Sequence, residues 1–117
     1  MKNPNSTRAF SDEQELSVCK LLNCQKQSGS GSGNFNKGDC INKNASLLVE
    51  CKCSMNEKES FSIKKEWLNK NKEEAFSMRM DNTCLAFNFE PKGKNFFVIN
   101  EKLMKYLVEK LEEENSI

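Results

Sequence analysis

Between Ala45 and Ser54 the order of apolar and polar residues admits one regular backbone. Leu47, Val49, Cys51 and Cys53 fall on one side of an extended chain, and Leu48, Glu50 and Lys52 on the other. This is the period of two that a β-strand imposes. The segment reads as a buried strand whose one face is wholly apolar, while the other carries an acid and a base two residues apart. Everything else in the chain is read around that strand.

Upstream, residues 1–10 are polar and expected to be loose. Ser11, with Gln14 three positions on, has the form of a capping box. It predicts a helix over about 12–22 with Leu16, Val18, Cys19, Leu21 and Leu22 as its apolar side. The run Ser28-Gly29-Ser30-Gly31-Ser32-Gly33 holds three of the five glycines and reads as a flexible loop. Such a loop lets backbone approach a phosphate closely, although the Gly-Lys-Ser/Thr ending of a P-loop is missing and a simple connector is the plain alternative. Downstream, Ile63, Trp67, Leu68, Ala75 and Met78 predict a helix over about 63–79. Strands are expected at Thr83–Phe89 and Asn95–Ile99, joined by the hairpin turn Glu90-Pro91-Lys92-Gly93-Lys94. A last helix after Asn100 is expected to bury Leu103, Leu107 and Leu111. This order implies an α/β layer structure around a mixed sheet flanked by helices. At 117 residues the chain has material for one domain, expected over 11–117.

Composition narrows the chemistry. There is no histidine, which excludes Ser-His-Asp and Cys-His machinery, histidine-ligated metals and a histidine general base. Catalysis has to use carboxylates, lysine, hydroxyls, thiols or a metal held by oxygen. The net charge of +1 argues against a strongly basic nucleic-acid coat. Charge is nevertheless uneven, with Glu109, Glu112, Glu113 and Glu114 gathered near the end and Lys26, Lys37, Lys43, Lys52, Lys58, Lys64 and Lys65 earlier. The polar start lacks the apolar centre of a secretory signal, and no run approaches a membrane span, so an intracellular protein with no membrane partner is expected. The six cysteines contain no C-x-x-C pair and read as small buried hydrophobes. A site of four cysteines binding zinc is the alternative.

The chemistry-bearing pattern is Gly38-Asp39, ten residues, then Glu50-Cys51-Lys52. If Asp39 opens a short strand pairing with the one that holds Glu50, two carboxylates converge at one sheet edge. Asp39, Glu50 and the Cys51 carbonyl form an oxygen set suited to magnesium. Lys52 stands ready to orient or deprotonate a water or to stabilise charge on a phosphate. A surface Glu-Lys pair beside an ordinary loop aspartate is the plain alternative.

Gly38-Asp39…Glu50-x-Lys52 resembles the PD-(D/E)xK motif of restriction-endonuclease-like nucleases, with glycine in place of the motif's proline. Together with Glu15, the Gly/Ser loop with Phe35, Lys37, Leu48-Val-Glu-Cys-Lys52 and Ser60-Phe-Ser-Ile-Lys-Lys-Glu-Trp-Leu68, it resembles the small Holliday junction resolvases of phages, relatives of the archaeal ones. The resemblance implies a restriction-endonuclease-like mixed central sheet and a metal-dependent, structure-selective DNA endonuclease acting in recombination and repair. Asp39 and Glu50 would bind magnesium, for which manganese can substitute, with Lys52 completing the catalytic core. Glu15 would match the family's helix-one glutamate, with Glu13 as its competitor and helix N-terminal charge as the plain role for either. Ser30, Ser32, Lys37, Lys64 and Lys65 would contact DNA, the two later lysines having a solvated face as their alternative. The implied partners are branched DNA and a second copy of the chain, since symmetric cuts across a four-way junction need two sites related by a twofold axis. The implied setting is the cytoplasm of a bacterium or a phage-infected cell. A nuclease of the same fold acting on ends, flaps or duplex, and a non-catalytic DNA-binding module, remain as rivals.

Overall fold

The computed structural model describes residues 7–26 and 39–116, apart from the side chains of Thr7, Arg8 and Asp39. Helix α1 (Thr7–Leu22) leads into β1 (Gln25–Lys26), and β2 (Asp39–Asn42) and β3 (Leu47–Lys52) follow. Then come α2 (Lys65–Ser77), β4 (Asn82–Phe87), β5 (Phe96–Val98) and α3 (Glu101–Asn115). The five strands form one sheet in the order β1-β2-β3-β4-β5. Only β3 and β4 are parallel, and the stretch between them contains α2, as a parallel crossover requires. The chain is thus a mixed α/β structure with helices flanking the sheet.

Local chemistry explains the joints. Asn42 Oδ1 accepts from the Ala45 amide at 3.0 Å, and Ser46 adopts φ 54°, which closes the β2–β3 turn. At the end of α1, Asn23 takes the left-handed conformation and the Cys24 amide donates to the Cys19 carbonyl, a Schellman closure. Helix α2 closes in the same way, with Arg79 left-handed and the Met80 amide on the Ala75 carbonyl. The β4–β5 hairpin turns with Pro91 second and Lys92 third at φ 62°, and the Gly93 amide donates to the Glu90 carbonyl at 3.0 Å. Asn100 caps α3 by accepting from the Leu103 amide.

The sheet is covered on both sides. Toward α1, Val18 packs with Cys40, Val49, Cys84 and Ala86, joined by Cys19, Leu22 and Cys51. Toward α2, Ile41 and Leu48 pack with Ala75, Met78 and Met80. β3 keeps the predicted alternation, with Val49 and Leu48 both fully buried on opposite faces. The cysteines behave as core hydrophobes. Burial pushes the Cys19 and Cys84 thiols up to about 12 and Cys24 to about 11, and Cys40, hydrogen-bonded to Cys51 and buried, is also raised. No cluster of three or more metal-ligating side chains occurs among the described residues.

Several expectations are corrected. Helix α1 starts at Thr7, so Ser11 lies inside it rather than capping it, and Gln14 points into the fold. Leu16 and Leu21 are exposed, because the buried side of α1 runs through Gln14, Glu15 and Val18. On α2 the buried line is Asn71 and Ala75, with Leu68 exposed. Asn71 sits one turn from both Trp67 and Ala75, and its Nδ2 donates to the Cys84 carbonyl at 3.2 Å, while its Oδ1 is buried with no hydrogen-bond partner among the described residues. Helix α3 buries none of its residues, and Leu107 and Leu111 are exposed. Its amphipathic pattern demands a cover that the rest of the described chain does not supply.

Candidate functional site

The register between β2 and β3 sets Asp39 opposite Glu50. Lys52, two residues further along β3, shares the sheet face of Glu50. Parallel pairing then sets Lys52 beside Phe87 of β4. The spacing of ten residues seen in the sequence is therefore the length of a β-hairpin bringing its two ends together.

Glu50 is 8% exposed. Its Oε1 lies 3.6 Å from Lys52 Nζ, and its Oε2 is buried with no hydrogen-bond partner among the described residues. Lys52 Nζ also stands 4.6 Å over the Trp67 ring, a cation–π contact that holds the ammonium beside the carboxylate. Glu50, Lys52, Glu66, Trp67, Lys70 and Asn71 line a cleft of about 410 Å³ between β3 and α2. A buried carboxylate oxygen without a donor is costly to keep, and it suits a hard cation, which takes carboxylate oxygen. Among the described side chains, Glu50 Oε2 is the buried cleft oxygen of that donor type.

Glu15 approaches from α1. It is 1% exposed, and Lys26 Nζ lies 3.3 Å from its Oε1. Desolvation raises its carboxyl above the ordinary range, Lys26 opposes that rise, and the charges of Asp12 and Glu50 add to it. Lys26, held by Glu15 and Asp12, is itself raised. Glu13 faces outward and pairs with Lys92 at 3.8 Å. Of the two glutamates, Glu15 is the buried one, and it is the one that the Glu50 charge reaches.

Two polar clamps fix this end of β3. Gln14 Nε2 donates to the Lys52 carbonyl at 3.0 Å, tying α1 to the strand end. Just beyond Lys52, the Ser54 amide donates to Asn88 Oδ1 and the Ser54 hydroxyl to the Asn88 carbonyl, both at 2.7 Å and both buried. Lys64 is the residue before α2 and Lys65 its first residue, and both are exposed. Lys64 Nζ lies 5.6 Å over Trp67 on the rim of the cleft. The Cys51 side chain turns to the α1 core, away from the cleft. Ser30, Ser32 and Lys37 lie outside the described residues.

Sequence reasoning missed Lys26, Gln14, Asn71 and Asn88. Only Asn71 left a signal, as the polar member of the i, i+4, i+8 line Trp67–Asn71–Ala75. No family model, curated protein or solved structure matches this chain. No helix among the described residues is long and apolar enough to cross a membrane.

Proposed function

We propose that the chain is a magnesium-dependent, structure-selective DNA endonuclease of the restriction-endonuclease-like fold, acting as a Holliday junction resolvase. The observation that carries the reading is the register pairing of Asp39 with Glu50, with Lys52 on the same strand face. Asp39 and Glu50 would hold the cation, helped by the Cys51 carbonyl, with manganese able to replace magnesium. When bound, the cation supplies charge neutralisation at the phosphate and lowers the pKa of water. Lys52, kept beside Glu50 by Trp67, would stabilise the charge that builds on the phosphate during attack. Glu15, with its raised carboxyl, would accept or hold a proton at the edge of the site. Lys64, Lys65 and the N-terminus of α2 would bind the DNA backbone, with Ser30, Ser32 and Lys37 contributing from the Gly/Ser loop. A homodimer in the cytoplasm of a bacterium or phage-infected cell would make the paired cuts.

A second reading draws on one observation. Lys52 sits on Glu50 and Trp67 at once, and Lys26 neutralises Glu15, so the charges are also consistent with a non-catalytic DNA-binding module. The test is cleavage of a labelled four-way junction and a matched linear duplex, with magnesium or EDTA, by the full chain and by Glu50→Ala and Asp39→Asn. Symmetric nicks in the junction alone, lost in EDTA and in both variants, are expected. Equal cutting of the two DNAs leaves a nuclease without junction specialisation, and binding without cutting supports the module.

A further inference from the structure

Among the described residues, half of the large hydrophobic side chains left exposed belong to α3: Met104, Tyr106, Leu107, Val108 and Leu111. Met104, Val108 and Leu111 follow the i, i+4, i+7 spacing of a seam on a helix about 22 Å long. Beside the seam runs an apolar groove of about 700 Å³, with Leu47, Phe97 and Ile99 on one side and Leu103, Tyr106 and Leu107 on the other. An exposed seam next to a groove of this kind marks an interaction surface.

The charges on α3 identify the occupant. Residues 101–107 carry a net +1, through Lys102 and Lys105 against Glu101, and residues 108–115 carry −3, through Glu109, Glu112, Glu113 and Glu114 against Lys110. The last turn has no basic residue, and Lys110 is already paired with Glu113 at 3.2 Å. This polarity is unfavourable for a lone helix, whose macrodipole prefers acids at the start and bases at the end. A second α3 running antiparallel removes the conflict, because it sets the basic half of one copy, with Lys105 flanking the seam, against the acidic half of the other. A parallel copy would set acid on acid.

We propose that α3 is the self-association surface of this protein, two copies pairing antiparallel about a twofold axis between Leu107 and Val108. That axis brings Met104 of each copy to Leu111 of the other and sets Lys105, on one flank of the seam, beside Glu109 and Glu112 on the same flank of the partner, so the apolar and charged registers coincide. The interface is isologous, as a closed dimer requires. It rests on the surface of α3 and stands whether or not the chain cuts DNA.

Sedimentation equilibrium of the full chain, over micromolar to submillimolar concentrations, tests it. The expected mass is twice the 13.4 kDa of one chain. M104E/V108E changes only exposed side chains and should sediment as a monomer with unchanged circular dichroism. K105E should raise the dimer Kd about tenfold or more, as should E109K/E112K, and mixing the two charge variants should restore a heterodimer. A monomeric wild type, a dimer indifferent to M104E/V108E, or a dimer indifferent to K105E would each overturn the proposal. The charge pair needs no apolar change, so it serves as an independent readout if M104E/V108E fails to fold. Junction cleavage measured on the same samples separates the two readings: loss of the dimer proposal leaves cutting to be judged alone, and absence of cutting leaves the dimer untouched.

Discussion

β3 is enclosed on both faces, yet the two enclosures differ in kind. Toward α1, Val49 meets Val18, Cys40, Cys84 and Ala86, small groups whose two thiols are raised, Cys40 by its hydrogen bond with Cys51 and by burial and Cys84 by burial. Toward α2, Leu48 is just as buried, but two residues on the same face presents Glu50, and two further on Lys52. The first face is packed by volume and shape around Val18, and the one buried carboxylate beside it, Glu15, is met by Lys26 at 3.3 Å. The second keeps an ionisable pair in a cleft with one carboxylate oxygen unpartnered among the described residues. Stability does not favour that arrangement, since a buried pair seldom recovers its desolvation cost. The difference between the faces is the physical reason for looking for function on the α2 side.

Four changes test the difference between the two faces. The largest effect is expected for Glu50→Ala, which on the endonuclease reading lowers single-turnover junction cleavage by about 10³-fold or more, roughly 4 kcal/mol of barrier. The urea midpoint should meanwhile hold or rise. A variant that keeps its cleavage rate removes Glu50 from the chemistry. Leu48→Ala, on the same face but within the core, should cost about 2–5 kcal/mol of stability by urea unfolding, through lost burial and a cavity. If it costs nothing, the α2 face is not packed as described. Asn88→Ala should cost about 1–3 kcal/mol, because the buried Ser54 amide loses its acceptor. It should also lower cleavage more than Leu48→Ala does at matched stability, since the clamp lies just past Lys52.

The smallest effect is in the pH dependence. The folded carboxyl of Glu15 is raised above the ordinary 4.5, so the folded state binds that proton more tightly than the unfolded one. Its contribution is therefore fully present below 4.5 and is lost as pH rises through the raised folded value. Glu15→Gln should flatten that fall in urea-midpoint profiles from acid to neutral pH. An unchanged profile would mean that Lys26 fully compensates the burial.

Much of the fold was legible because its signals are local. The alternation in Leu47–Lys52 follows from strand geometry, and a hairpin of ten intervening residues follows from Asp39 and Glu50 being register partners. Asn100 as a cap and Pro91 with Gly93 as a turn are likewise local chemistry. Ser11 and Gln14 misled because a capping box and a buried amide look alike in sequence. Gln14 is used to reach the Lys52 carbonyl, a partner 38 residues away. Leu16 and Leu21 misled because their neighbours Glu15 and Val18 took the buried side.

The candidate site divides in the same way. Asp39, Glu50 and Lys52 could be named from spacing, because two strands joined by a tight turn leave little freedom in which residues meet. Lys26 beside Glu15, Trp67 under Lys52 and the Ser54–Asn88 clamp required the helices to be seated on the sheet. Such contacts join distant segments, and no local preference encodes which segment arrives.

The order of residues along the chain sets the periodicities: which segments extend, which coil, and which faces must leave water. Only the tertiary structure decided which of those faces found cover within the described chain. Hydrophobic burial is non-directional, so an apolar stripe states that it must be covered without naming by what. The seated α2 and the bare α3 differ in that one respect.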